Sequence, residues 1–310
     1  MTRLRWTTGE RLTPIHAARC FSLGVRGVDQ SIVRGICDTM SELNSRLAAA
    51  DLDLSIFWPD LVRAAAAGDA DLDVCSSALI AAGCSPLSAD AMAGAIASRL
   101  AEVRLVHNER YPKLAEQLAL RGRPLREQWD GFGAGLLKRI GKLTHPSFLP
   151  KSATVLLMSP YRGGDGGLDA SAARIWIEAM LTNPVADLPE VLRLAWLISQ
   201  VGLIEALSFG SEDSHGDPWV APSRLPRVAA LAMMAMTLEA GSFLEIIPTP
   251  ASAIPSLFAK AAEAWRVPVD DSTLETLGNW WKQFRDLQTT PPVTFKALDR
   301  MLHPTPAAKR

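Results

Sequence analysis

Residues 188–207 read Leu-Pro-Glu-Val-Leu-Arg-Leu-Ala-Trp-Leu-Ile-Ser-Gln-Val-Gly-Leu-Ile-Glu-Ala-Leu. Val191, Leu192, Leu194, Trp196, Leu197, Ile198, Val201, Leu203 and Ile204 point to every side of a helix over 188–207. A helix that is apolar all round belongs inside a large fold, because no single neighbour can cover it. Gln200 and Glu205 interrupt the stretch, and no run of eighteen uncharged apolar residues occurs, so no membrane span is expected.

Both flanks of this stretch also carry helical patterns. On the C-terminal side the pattern predicts helices at about 226–241, 252–265, 271–286 and 293–301. On the N-terminal side Asp29 is a plausible cap for a helix over 29–49. Its stripe is Ile32, Val33, Ile36, Cys37, Met40, Leu43 and Leu47, with Cys37 read as a small buried hydrophobe. Further helices are expected at 58–67, 70–82, 88–110 and 113–121. Gly122 and Pro124 then break the chain before another, marked by Leu125, Trp129, Phe132, Leu136 and Ile140. Residues 1–28 carry little periodicity.

One stretch reads as a strand. Residues 151–160, Lys-Ser-Ala-Thr-Val-Leu-Leu-Met-Ser-Pro, form a short apolar run between prolines, with the strand itself at 153–159. A lone strand leaves its backbone unpaired, and the candidate partners are 3–7 and 243–247. A loop, Tyr-Arg-Gly-Gly-Asp-Gly-Gly at 161–167, leads to a predicted helix over 169–182 capped by Asp169 or Ser171. The fold class is therefore mainly α: a large helical domain of about ten helices with a minor β element near 153–159. A single domain over 1–310 is favoured. The alternative is a helical 1–150 followed by an α domain with the small β element over 151–310.

Composition excludes whole classes of function. The 310 residues are 48% hydrophobic with a net charge of −1, which rules out a disordered chain and whole-protein steering toward nucleic acid. The four cysteines form no C-x-x-C pair, and the N-terminus lacks the apolar core of a signal peptide. A cytoplasmic protein is expected. Arginines outnumber lysines 24 to 8 in an alanine-rich chain, a bias of GC-rich bacterial coding.

Candidate chemistry centres on the strand–loop–helix. The glycine-rich loop matches neither G-x-x-x-x-G-K-[ST] nor G-x-G-x-x-G, and Asp165 and Asp169 would repel a phosphate, so no cofactor is expected. The order strand, loop, helix with Glu178, second helix with a carboxylate is similar in layout to zinc peptidases. Those enzymes need H-E-x-x-H, and Ile177 and Leu181 stand at the two ligand positions. The layout implies at most a catalytically dead relative, with Arg162, Asp165, Arg174 and Glu178 lining a cleft. The plainer reading pairs Glu178 with Arg174 across one helical turn. Asp213, His215 and Asp217 alternate in one loop and make a weak candidate metal site. His107 reads as a surface or helix–helix polar contact.

Charge is locally uneven. Six aspartates between 51 and 73 face only Arg63, a local net of −5, and 110–145 carries a net of +5. The two segments are expected to neutralise each other within the fold or across a homo-oligomer. Alternatively, Arg121, Arg123 and Arg126 face a protein partner. Nucleic acid is possible through 110–145 but not favoured. Trp129, Trp176 and Trp196 read as core anchors. Trp280 lies beside the inward stripe of its helix and reads as an exposed interface anchor. A non-catalytic interaction or scaffold subunit is the expectation that results, with an enzyme as the alternative.

Overall fold

A computed structural model describes residues 2–208, 220–287 and 291–304. Contacts within the chain gather into two compact units. The first holds residues 5–123 and 154–181, the second residues 1–4, 124–153 and 182–310. The fold is mainly helical with one small sheet, as the periodicity predicts.

The sheet is four-stranded: β1 (Arg3–Thr8), β2 (Ser152–Met158), β3 (Gly166–Asp169) and β4 (Arg174–Glu178), in the order β1-β2-β4-β3. Segment 3–7 is thus a strand, as expected. Segment 243–247 is not: a helix ends at Phe243 and turns come after it. β2 and β4 are parallel, with Leu156 opposite Trp176 and Met158 opposite Glu178, whereas β3 and β4 form an antiparallel hairpin.

That hairpin replaces the helix expected over 169–182. The Asp169 carboxylate accepts the Ser171 and Ala172 N–H groups, as an N-cap would, but it closes a turn between strands. An Asp bonding the N–H two residues on starts turns and helices alike. The residues after the turn decide between them, and Ile175-Trp176-Ile177 is β-branched and aromatic.

In the first unit α1 (Leu12–Ser22), α2 (Gln30–Ala49), α3 (Leu54–Ala67), α4 (Asp71–Ala81), α5 (Pro86–Arg110) and α6 (Leu114–Arg121) surround a core that includes Ile36, Trp58, Leu79 and Leu100. The sequence pattern does not predict α1. Leu12, Thr13, Pro14, Ile15, His16, Ala17, Ala18 and Cys20 are all buried, so a short helix covered on every side carries no amphipathic period. Asp29 caps α2 through the Ser31 N–H, as predicted. Cys37 is exposed, because the buried stripe runs through Ile32, Ile36, Met40, Leu43 and Leu47, and the residue after Ile36 projects about 100° away.

In the second unit α7 (Arg123–Leu143) is separated from α6 by Gly122 alone, so the break expected at Gly122 and Pro124 is a single residue. Pro124 sits in the first turn of α7, where its missing N–H costs nothing. α8 (Glu190–Ser208) packs against α9 (Leu225–Phe243), and beyond them lie α10 (Phe258–Ala264), α11 (Asp271–Leu287) and α12 (Pro291–Leu302). Among the described residues α8 is the one helix long and apolar enough to cross a membrane, and 78% of its most apolar window is buried. Trp196 stacks on Trp265 at 5.1 Å and donates its indole N–H to the Ala230 carbonyl.

Candidate functional site

Three of the four residues expected around the loop converge in the first unit, on a carboxylate with none of its surface exposed. Glu178 ends β4, and its burial is total. One carboxylate oxygen, Oε1, accepts from His16 Nε2 at 2.8 Å and from the Arg162 N–H at 2.7 Å. The other, Oε2, accepts from the Gly164 N–H at 2.7 Å. The loop therefore wraps its backbone around an anion supplied by its own strand. Gly163 and Gly164 make this possible, with φ of +71° and +105°, a region that glycine enters freely.

The loop is tied at further points. Glu178 donates its N–H to the Asp165 carbonyl. The Asp165 side chain accepts from Arg162 at 2.8 Å and from Arg19 of α1 at 3.3 Å. Burial pushes the Asp165 carboxyl up, but Arg19, Arg162 and His16 outweigh it and hold the group below the usual carboxylate range. Tyr161 opens the loop, stacks on His16 at 5.7 Å and shares a 2.7 Å hydrogen bond with His107 Nε2. Gly27 lies so close to Tyr161 that a Cβ there would fall 1.9 Å from the Tyr161 carbonyl oxygen.

His107 is fully buried, which excludes the surface alternative of the surface or helix–helix contact expected of it, and burial drives its pKa down to about 4. Cys20, one turn beyond His16 on α1, has its sulfur 3.7 Å from His16 Nε2. Burial and the nearby Glu178 push this thiol up to about 12, so it stays protonated at neutral pH. The group of residues resembles a nucleophile–base–orienter set in composition, while its burial and the raised pKa of the Cys20 thiol are those of a core.

Arg174 is not part of it. Its guanidinium donates to the Ala66 and Ala67 carbonyls and closes the C-terminus of α3 beside Gly68. The expected Arg174–Glu178 pair is absent because β4 is extended: at about 3.3 Å per residue, positions four apart are about 13 Å from each other, although they share a face. The zinc-peptidase layout fails for the same reason, since Glu178 is on a strand. Among the described residues no three His, Cys, Asp or Glu side chains group to hold a metal. Asp213, His215 and Asp217 lie outside the described residues.

The charged segments settle into local pairs. Asp71 binds Arg11 at 2.8 Å and Arg104 at 3.0 Å, and Asp60 binds Arg63 at 2.7 Å. The acidic segment thus finds partners outside 110–145. Within the basic segment Arg110 binds Asp29, and Arg139 binds Glu239. Arg121 and Arg123 are exposed in the first unit, whereas Arg126 is half-buried in the second. Trp280 is 2% exposed and donates its indole N–H to the Thr294 carbonyl, so it is a core residue of the second unit and not a surface anchor. Helix α12, which receives it, covers the side that the stripe of α11 leaves over. Trp129, Trp176 and Trp196 are buried as expected.

No family model, curated protein or solved structure matches this chain.

The sequence names Glu178, Arg162 and Asp165 but gives no sign of His16, Cys20, Tyr161 or Arg19 as their companions. The pair of glycines at 163–164, after a strand, is the one local signal that a loop folds back on something.

Proposed function

We propose that this chain is a non-catalytic helical interaction subunit of a cytoplasmic assembly, binding a protein partner or further copies of itself. One observation carries the reading: Glu178, the residue best placed for chemistry, has its carboxylate bonded to His16 of α1 and to two backbone N–H groups of the 161–165 loop, with no surface open to a substrate. General acid or base work requires the group to reach the proton it moves.

Other features support it. Leu72, Leu87 and Leu105, all in the first unit, are 57%, 87% and 64% exposed, and Arg121 and Arg123 are exposed nearby in sequence. Large apolar side chains and arginine recur at protein interfaces. Cys20, Cys37, Cys75 and Cys84 are all free, which fits a reducing compartment. Arg121 and Arg123 supply the basic contacts of this reading, with nucleic acid the less favoured ligand.

Light scattering on the purified full chain, alone and with whatever co-purifies from its host, tests this. The expected result is a defined assembly that weakens in Leu72→Asp/Leu87→Asp and in Arg121→Glu/Arg123→Glu, with thermal midpoints unchanged. A strictly monomeric chain whose turnover of a substrate is lost in folded Glu178→Gln would overturn it.

A further inference from the structure

The second unit contains a cavity of about 980 Å³, at the upper end of the range for small-molecule sites. One wall is a face of α7, where Leu137, Lys138, Gly141 and Lys142 recur with helical spacing. The opposite wall is the turn through Pro146, Leu149 and Pro150. Gly141 lets that turn pass close: a Cβ there would stand 3.2 Å from Leu149 Cδ1 and 3.6 Å from the Pro146 Cα. The remaining edge is the chain start, fixed by two hydrogen bonds. The Thr2 hydroxyl donates to the Pro150 carbonyl at 2.7 Å, and the Arg3 N–H to the Lys151 carbonyl at 3.0 Å.

Four cations, Arg3, Lys138, Lys142 and Lys151, line this cavity, and among the described residues no carboxylate does. Among the described residues none of the four makes an ion pair. Arg139, next along the same helix but turned away, is bound to Glu239 and lies over the Phe243 ring at 4.1 Å. Lys138 and Lys142 stand one turn apart, a like-charge spacing that weakens a helix unless an anion sits between them.

From this combination we infer that the cavity binds a free amphiphilic organic anion: a carboxylate or phosphate head held by the four cations, with an alkyl body against Leu137, Leu149, Pro146 and Pro150. An inorganic anion would leave the apolar wall uncovered, and a neutral amphiphile would leave the cations unanswered. The site is separate from the interaction reading above and stands without it.

Isothermal titration of the full chain, below micelle-forming concentrations, tests the assignment with four probes: dodecanoate, dodecyl phosphate, inorganic phosphate and dodecyltrimethylammonium. The expected result is one-to-one binding of the two amphiphilic anions, weakened by salt. Inorganic phosphate should bind at least about tenfold more weakly, and the cationic amphiphile not measurably. Lys138→Glu/Lys142→Glu should lose at least about tenfold in affinity for both anions with its thermal midpoint unchanged. The assignment is overturned if neither amphiphilic anion binds, if the cationic probe or inorganic phosphate binds as well as they do, or if the double variant binds like the parent.

Discussion

Helix α8 in the second unit and the Glu178 junction in the first are both buried, but they are buried by opposite means. On α8, side chains such as Leu194, Ile198 and Val201 are buried, and the buried polar residues Glu190, Arg193, Ser199 and Gln200 pair within the helix or with backbone carbonyls. Around Glu178 the interior is polar: two carboxylates, two guanidiniums and an imidazole are joined by hydrogen bonds that include two backbone N–H groups. Apolar packing tolerates modest change if volume is kept. A buried polar network does not, because each lost partner leaves another group desolvated and unsatisfied.

Glu178→Ala puts this contrast under the heaviest strain. It strips partners from His16 and from the Arg162 and Gly164 N–H groups at once. The expected loss is about 3–5 kcal/mol in denaturant unfolding, the range for breaking a buried pair by removing one partner. Glu178→Gln retains an oxygen acceptor and should lose about 1–3 kcal/mol. A loss below that from both variants would make the network incidental.

In the second unit the vulnerable point is steric. A Cβ on Gly202 of α8 would stand 2.2 Å from the Phe148 carbonyl oxygen and 2.8 Å from the Pro150 nitrogen, both backbone atoms. Gly202→Ala should therefore cost about 1–3 kcal/mol, the range for overpacking. Differential scanning calorimetry reads this, and an unchanged midpoint would mean that the segment yields.

A smaller effect is specific to the polar interior. Burial holds the pKa of His107 near 4, below its ordinary 6.5. The unfolded chain takes up this proton first as pH falls. The contribution of His107 to stability is therefore complete above pH 6.5 and is lost on acidification toward pH 4. The slope is at most about 1.4 kcal/mol per pH unit for one proton. His107→Gln should flatten the stability profile over that window relative to the parent. Parallel profiles would show that His107 is not kept neutral by the fold.

The same contrast separates what the sequence makes legible from what it hides. α8, α9 and α2 are visible in sequence because packing among side chains writes itself as composition and period. The hairpin over 166–178 is hidden, since Asp169 begins a strand turn with the signal it would use for a helix. The Glu178 network is hidden more deeply. His16 lies 162 residues away on a helix with no amphipathic period, and the other two donors are backbone groups that no residue type announces. Trp280 shows the converse error: spacing along α11 marks it as surplus to one stripe, and α12 buries it from the other side.

Hydrogen exchange of individual amides addresses the Glu178 latch most directly. The Arg162 and Gly164 N–H groups sit in a loop but donate to a sealed carboxylate, while Gly163 between them is exposed. Both amides should exchange as slowly as core amides of α1, through opening of the whole unit, and Glu178→Ala should remove this protection. Exchange of Arg162 and Gly164 at the rate of an open loop would contradict the latch, and Glu178 would then be free to meet a substrate.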